Sequence, residues 1–266
     1  MRFLFPILLA LVAFPALSVS AQDLTDVAAI VARANEAAYY AGTDGRAEVR
    51  LTITDGQGRE RRRQFTILRQ SPEKGGDQRY AVLFSRPADV RGTVFLVHKN
   101  VGADDDRWLY LPDLDLVKRI AAGDKRTSFV GSDFLYEDVS GRELDEDTHR
   151  LVETTEDYYV VENTPVDKGA AEFTSWRVWI DKETFVPMKM EYVDAKGEVY
   201  RRIETLEVET VGGFPTATTQ RVTDLRTGGQ TLSEMRHVEY DLGVPASVFT
   251  QRTLRDPQRE WFRTGR

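Results

Sequence analysis

Residues 46–58 read Arg46-Ala47-Glu48-Val49-Arg50-Leu51-Thr52-Ile53-Thr54-Asp55-Gly56-Gln57-Gly58. Ala47, Val49, Leu51 and Ile53 alternate with charged or hydroxyl-bearing neighbours, and a period of two gives one apolar face only to an extended strand. Asp55-Gly56-Gln57-Gly58 then supplies residues suited to a hairpin turn. An antiparallel sheet starts here.

Outward from this hairpin the pattern repeats. Further strand-like runs fall at 64–68, 79–84, 93–98 and 107–111, and after an irregular middle at 158–162, 174–180, 188–193, 199–208, 217–222 and 231–240. Turns such as Asp194-Ala195-Lys196-Gly197 and Thr227-Gly228-Gly229 separate them. Toward the N-terminus the period changes once. Leu24, Val27, Ala28, Val31, Ala34 and Ala38 recur at helical spacing, with Asp23 as the expected N-cap and Gly42 as the stop. The expected class is mostly β (α+β), with about eleven antiparallel strands and a few helices. Residues 22–266 are expected to form a single domain, whose weakest joint is the acidic stretch Glu143–Thr148.

Residues 1–21 read differently from the rest. Arg2, an apolar run from Leu4 to Leu17 and the small residues Val19-Ser20-Ala21 match a secretion signal. That apolar run is shorter than the ~20 residues a transmembrane helix needs. The expectation is an exported, soluble chain. The 266 residues carry 36 basic and 43 acidic side chains, a formal charge of −7. An acidic balance argues against nucleic acid as the main partner. With no cysteine, the chain has no disulfide framework, no thiolate nucleophile and no attachment point for a diacyl anchor.

Several strands are apolar on both faces, although a half-buried strand needs only one. Trp108 and Tyr110 alternate with Leu109 and Leu111, Tyr80, Val82 and Phe84 with Ala81 and Leu83, and Val94-Phe95-Leu96-Val97 is continuous. Trp176, Val178 and Ile180 oppose Trp179. Two arrangements satisfy this pattern. A sheet covered by helices or a second layer is the commoner one; a curved sheet around an apolar cavity is the other. Met188 and Met190, alternating with Lys189 and followed by Tyr192, favour the cavity, because methionine suits adaptable apolar surfaces. By parity and size the expected lining is Phe95, Trp108, Tyr110, Trp176, Met188, Met190 and Tyr192.

Catalytic patterns are missing. His98, His149 and His237 stand far apart, so no metal site is expected, and no GxSxG elbow, P-loop or GxGxxG occurs. Asp104-Asp105-Asp106 lacks the alternation of a calcium loop and reads as a solvated turn. Arg59, Arg61, Arg62 and Arg63 read as a charged strand edge, with docking to anionic headgroups as the second reading. Neither a catalytic residue nor a cofactor is expected; a hydrolase built on Ser132 would need a base that is not visible nearby.

The most distinctive block lies in the middle. Arg107-Trp108-Leu109-Tyr110-Leu111-Pro112 is followed by Val117-Lys118-Arg119-Ile120, which reads as a short basic strand beyond the eleven, and then by Ser128-Phe129-Val130-Gly131-Ser132-Asp133-Phe134-Leu135-Tyr136-Glu137-Asp138. Phe129, Phe134, Leu135 and Tyr136 make the last stretch too apolar for a solvent loop, and it is the expected gate. Asp133, Glu137 and Asp138 are expected to pair with Lys118, Arg119, Lys125 or Arg126. In this order the block resembles the outer-membrane lipoprotein-sorting proteins, LolA-like, of the branch associated with RND-type exporters. The resemblance extends loosely from the first helix to about Phe249. It implies a strongly curved antiparallel half-barrel, closed by helices over a cavity for acyl chains. It also implies a periplasmic carrier of lipoprotein or lipid cargo, with an RND-type inner-membrane exporter and transient membrane contact. An arginine that holds the lid belongs to that picture; Arg50, Arg63 and Arg69 all lie on early strands, and the sequence assigns the role to none of them. A sensor or adaptor using the same fold is the alternative.

Overall fold

The computed structural model describes residues 23–169 and 171–263; the expected signal segment, residues 1–21, lies outside them. Thirteen strands among the described residues form one antiparallel sheet. The first six are β1 (Asp44–Thr54), β2 (Glu60–Gln70), β3 (Gln78–Arg86), β4 (Val94–Lys99), β5 (Asp106–Leu111) and β6 (Leu116–Ile120). The second run comprises β7 (Asp147–Thr154), β8 (Tyr158–Pro165), β9 (Ser175–Asp181), β10 (Pro187–Val193), β11 (Val199–Val211), β12 (Phe214–Asp224) and β13 (Gln230–Tyr240). Each run is a meander, and the two join where β13 pairs with β1, giving the order β6-β5-β4-β3-β2-β1-β13-β12-β11-β10-β9-β8-β7. The join is in register with the cavity wall, since Val49 stands opposite Phe65 on one side and Met235 on the other.

The opening hairpin folds as its residues require. The Asp55 carboxylate accepts from the amides of Gln57 at 2.9 Å and Arg59 at 3.1 Å. Gly58 takes a φ of +80° that a side chain would strain.

Two strands exceed the expected eleven, and both are sheet edges. β6 buries little more than Val117 and Ile120, and β7 begins at the end of the acidic stretch that read as a joint, sharing Asp147 and Thr148 with it. Edge strands bury few side chains and carry charge against mispairing, so their apolar alternation is faint.

Helix α1 (Val27–Tyr39) starts later than expected. Asp26 is the N-cap, accepting from the Ala28 amide at 3.0 Å, while Asp23 pairs with Lys182 at 2.8 Å. Leu24 packs in the same cluster as Ile30 and Val31 but lies before the helix, its amide donating to the Tyr159 hydroxyl. The apolar stripe thus continues past the cap and shifted the apparent start. A short helix α2 (Tyr136–Ser140) lies within residues 121–146, which cross the inner face.

The two apolar faces have different covers. On the outer face Leu68, Leu83, Leu96 and Trp108 pack under Val248, Phe249 and Leu254 of the C-terminal segment. Asp44 pins the start of that segment by accepting from the amides of Leu242, Gly243 and Val244 at 2.8–3.0 Å. On the inner face Phe65, Phe84 and Phe95 pack around Phe129, and the remaining inner surface faces a cavity. No helix among the described residues is long and apolar enough to cross a membrane.

Candidate functional site

Between α1 and the inner face lies a chamber of about 250 Å³. Leu51 of β1, Ile67 of β2, Met190 of β10 and Met235 of β13 line it, with Phe129 and Phe134 from the crossing segment. Ala37, Ala38 and Tyr39 of α1 close it. A second chamber of about 130 Å³ adjoins it, across a partition formed by Tyr39, Phe134, Met190 and Gln220, which line both. Outside the C-terminal end of α1 an open groove of about 570 Å³ shares Ala37 and Pro215 with the larger chamber. Ligand pockets typically run from ~300 to 1,000 Å³; each chamber alone falls short of that range, whereas the groove lies within it.

The expected lining residues divide into three groups. Met190 and the expected gate residues Phe129 and Phe134 face the larger chamber, while Trp176, Met190 and Tyr192 face the smaller one, Trp176 stacked on Tyr192 with ring centroids 5.7 Å apart. Phe95 is fully buried behind Phe129 at 5.4 Å, and Met188 is half-buried and lines neither chamber. Trp108 and Tyr110, expected in the lining, lie instead on the outer face, against the C-terminal segment. Parity on β5 places Leu109 and Leu111 inside instead, because the bulkier pair fills the gap under that segment. Of the other gate residues, Leu135 precedes α2, and Tyr136 packs on Phe95 and Phe129 at 5.1 and 5.6 Å.

Ile67, Met235, Gln220 and the end of α1 were not anticipated. Met235 carried the same signal as Met188 and Met190, a methionine on a strand face. The helix residues carried none, since alanines at helical spacing read as ordinary packing.

Charges hold the crossing segment in place. Glu137 is buried against Lys125 at 3.2 Å, Arg126, and Arg142 at 3.5 Å. Burial pushes its carboxyl upward, but those three cations outweigh it and hold it below the ordinary range. Arg142 also pairs with Asp147 at 2.7 Å, tying the segment to β7. Asp138 takes Arg201 of β11, a partner distant in sequence, whereas Arg119 is engaged by Asp106. Asp133 is bound to the Thr231 hydroxyl at 2.6 Å and Arg61 donates to the Gly131 carbonyl at 3.2 Å. The rest of the basic cluster is spent locally, Arg59 on Asp55 and Arg63 on Asp89.

The end of α1 is held separately. Arg69 donates to the carbonyls of Tyr39 at 2.6 Å and of Ala41, and Gln78 donates to the Tyr39 carbonyl at 2.7 Å. Gly141 packs flat on the Tyr39 ring, where a Cβ would come within 2.5 Å of the ring carbons. Only glycine lets α2's end approach this closely.

Hydrolytic machinery does not assemble around Ser132. Its hydroxyl donates to the Phe129 carbonyl at 2.7 Å. The histidines are engaged elsewhere, His98 with the Phe249 carbonyl, His149 with Asn163 and the Leu144 carbonyl, and His237 with Glu48.

A family model described as "-like: Uncharacterized protein" matches residues 76–256, more than half of the chain. No curated protein matches. A crystal structure of a DUF1329 family protein from Desulfovibrio piger superposes with a TM-score of 0.78 at 29% identity, covering 86% of this chain and 98% of that one. A structure described as an outer membrane lipoprotein-sorting protein domain, from Vibrio parahaemolyticus, gives 0.76 at 29% identity, covering 85% and 97%. A LolA superfamily protein from Nitrosomonas europaea gives 0.66 at 18% identity, covering 85% and 98%, and shares the fold.

Proposed function

The chain belongs to the family of uncharacterized proteins whose model spans residues 76–256, and on that premise we propose that it is a carrier which takes the acyl chains of a lipoprotein or lipid into the divided cavity. One observation carries this reading. Phe134, Met190, Met235 and Ile67 face inward yet are only partly covered, with unfilled space between them. Ordinary protein interiors are packed to crystal density, so accessible apolar surface inside a closed fold is surface kept for a guest. The similarity to a lipoprotein-sorting domain supports acylated cargo.

The physical need for such a guest site is direct. Each buried methylene is worth ~0.8 kcal/mol, so a long chain does not leave a membrane for water unaided. A carrier makes and breaks no covalent bond; it offers apolar surface and then releases to a site that binds more strongly. In this scheme the cargo enters by the groove at the end of α1. Phe129, Phe134, Leu135 and Tyr136 form the inner gate, with Phe134 standing between the chambers. The exported, periplasmic setting and an RND-type inner-membrane exporter as donor follow from the sequence resemblance, and transient membrane contact is the matching release step.

The test is uptake by delipidated protein of a fluorescent lipopeptide or phospholipid. Saturable uptake, displaced by unlabelled lipid, supports a carrier. Absence of uptake, with co-purification of a membrane or signalling protein instead, favours the adaptor.

A further inference from the structure

The two chambers differ in chemistry. The larger is walled mainly by Leu51, Ile67, Phe65, Val82 and Met235. The smaller carries Asn35, Asn163, His149 and Gln220 among its lining residues, together with Glu137, Asp138, Glu143 and Asp147.

Those four carboxylates are already ion-paired, although Glu143 Oε1 makes no hydrogen bond. Glu137 is held by Lys125 and Arg126, Asp138 by Arg201, Glu143 by Lys99 at 3.1 Å and Asp147 by Arg142. Lys99, Lys125, Arg126 and Arg201 stand behind the wall rather than in it; among the residues facing this chamber, Arg142 is the cationic one. An anionic group entering here would meet carboxylate oxygens first, since the open nitrogens of Arg201, Nε and Nη1, lie behind the wall with the rest of that side chain. A cationic group would have to compete with salt bridges already made. Either would be a buried charge without a free counter-charge in the chamber wall, which is costly.

Uncharged hydrogen-bonding capacity is what remains. The Asn35 amide, half-buried on α1, makes no hydrogen bond among the described residues. Gln220, on the partition, uses its Nε2 on Thr205 at 3.3 Å and leaves its Oε1 open among them. Asn163 Nδ2 reaches carbonyls only at 3.4 Å. Donor and acceptor groups therefore converge at the junction of a polar chamber with an apolar one.

We infer that the smaller chamber seats the polar end of the cargo, and that this end is uncharged and bears hydroxyl, ester or amide groups, while the hydrocarbon lies in the larger chamber. The inference rests on the carrier reading and narrows it, favouring acylglycerol-like or lipopeptide-like amphiphiles over phospholipids.

The experiment titrates delipidated full-length mature protein with four amphiphiles that share one saturated chain: a monoacylglycerol, an N-acyl amide, a lysophosphatidylglycerol and an alkyl ammonium. Native mass spectrometry and competition fluorescence report affinity at neutral pH. The expected result is about tenfold tighter binding of the two uncharged heads than of either charged one. Asn35→Leu combined with Gln220→Leu should remove most of that preference. Equal binding of all four heads, or preference for a charged one, overturns the inference and leaves the carrier standing. Failure of every amphiphile and of a plain alkane to bind overturns the carrier reading itself. A double variant that folds, by circular dichroism, and keeps the full preference also counts against the assignment.

Discussion

Arg69 reaches from β2 to the end of the cavity-closing helix, where its Nη1 donates to the Tyr39 carbonyl at 2.6 Å. The last carbonyls of a helix have no partner within it, and a cation there both satisfies them and complements the helix dipole. Burial pulls the guanidinium below its usual range, and nearby tyrosines and aspartates oppose that. Its other nitrogen serves the Ala41 carbonyl, so one side chain ties α1 to the wall.

Arg69→Ala is therefore expected to free the end of α1. Hydrogen bonds to a charged group are worth ~1.5–3 kcal/mol, and a loss of that order should appear in urea denaturation. Amide exchange at residues 39–42 should quicken, and lipid uptake should become faster. Unchanged exchange there would show that Gln78 alone suffices.

Met190 stands on the partition between the chambers. Met190→Asp places a carboxylate on surface meant for hydrocarbon, and uptake of a labelled lipid should fall by about tenfold or more. Circular dichroism should stay close to the parent spectrum. Full uptake by the folded variant would remove Met190 from the site.

Trp108 gives the opposite result, since it packs on the outer face beside His98 at 5.2 Å between ring centroids. Trp108→Leu should cost ~1–3 kcal/mol of stability and leave uptake unaltered. Impaired uptake at full stability would mean that the outer face takes part.

Acid should loosen the crossing segment. Burial pushes the Glu172 carboxyl up, but its hydrogen bond to Arg126 and that cation's charge bring it down from 4.5 to about 2. A depressed folded value means stabilisation that is complete above the unfolded value and lost as pH falls toward the folded one. Melting temperature should thus decline between about pH 4.5 and 2, and Glu172→Gln should flatten that decline. An unchanged acid profile in the variant would place the sensitivity elsewhere.

The sheet was legible in the sequence because its central strands are long and strictly alternating, as at Val49, Leu51 and Ile53. The edge β6 showed only as the short basic run at 117–120 and the edge β7 not at all, because edge strands bury too little to leave a period. Faces were harder than strands. Parity grouped Trp108 with Tyr110 correctly, but which face holds the cavity depends on where residues 241–263 return, and nothing local to β5 records that. Met190 and Phe134 were readable as apolar residues in odd company. Gln220, Asn35 and the Arg201–Asp138 pair were not, since their meaning comes from partners far along the chain.

The most direct test of the account is native mass spectrometry of the protein released gently from its own cells, followed by solvent extraction and lipid analysis. A carrier should give a fraction carrying extra mass that extracts as acylated material, lost in Met190→Asp and retained in Trp108→Leu. A clean, unliganded mass that takes up neither added lipopeptide nor added phospholipid would contradict it.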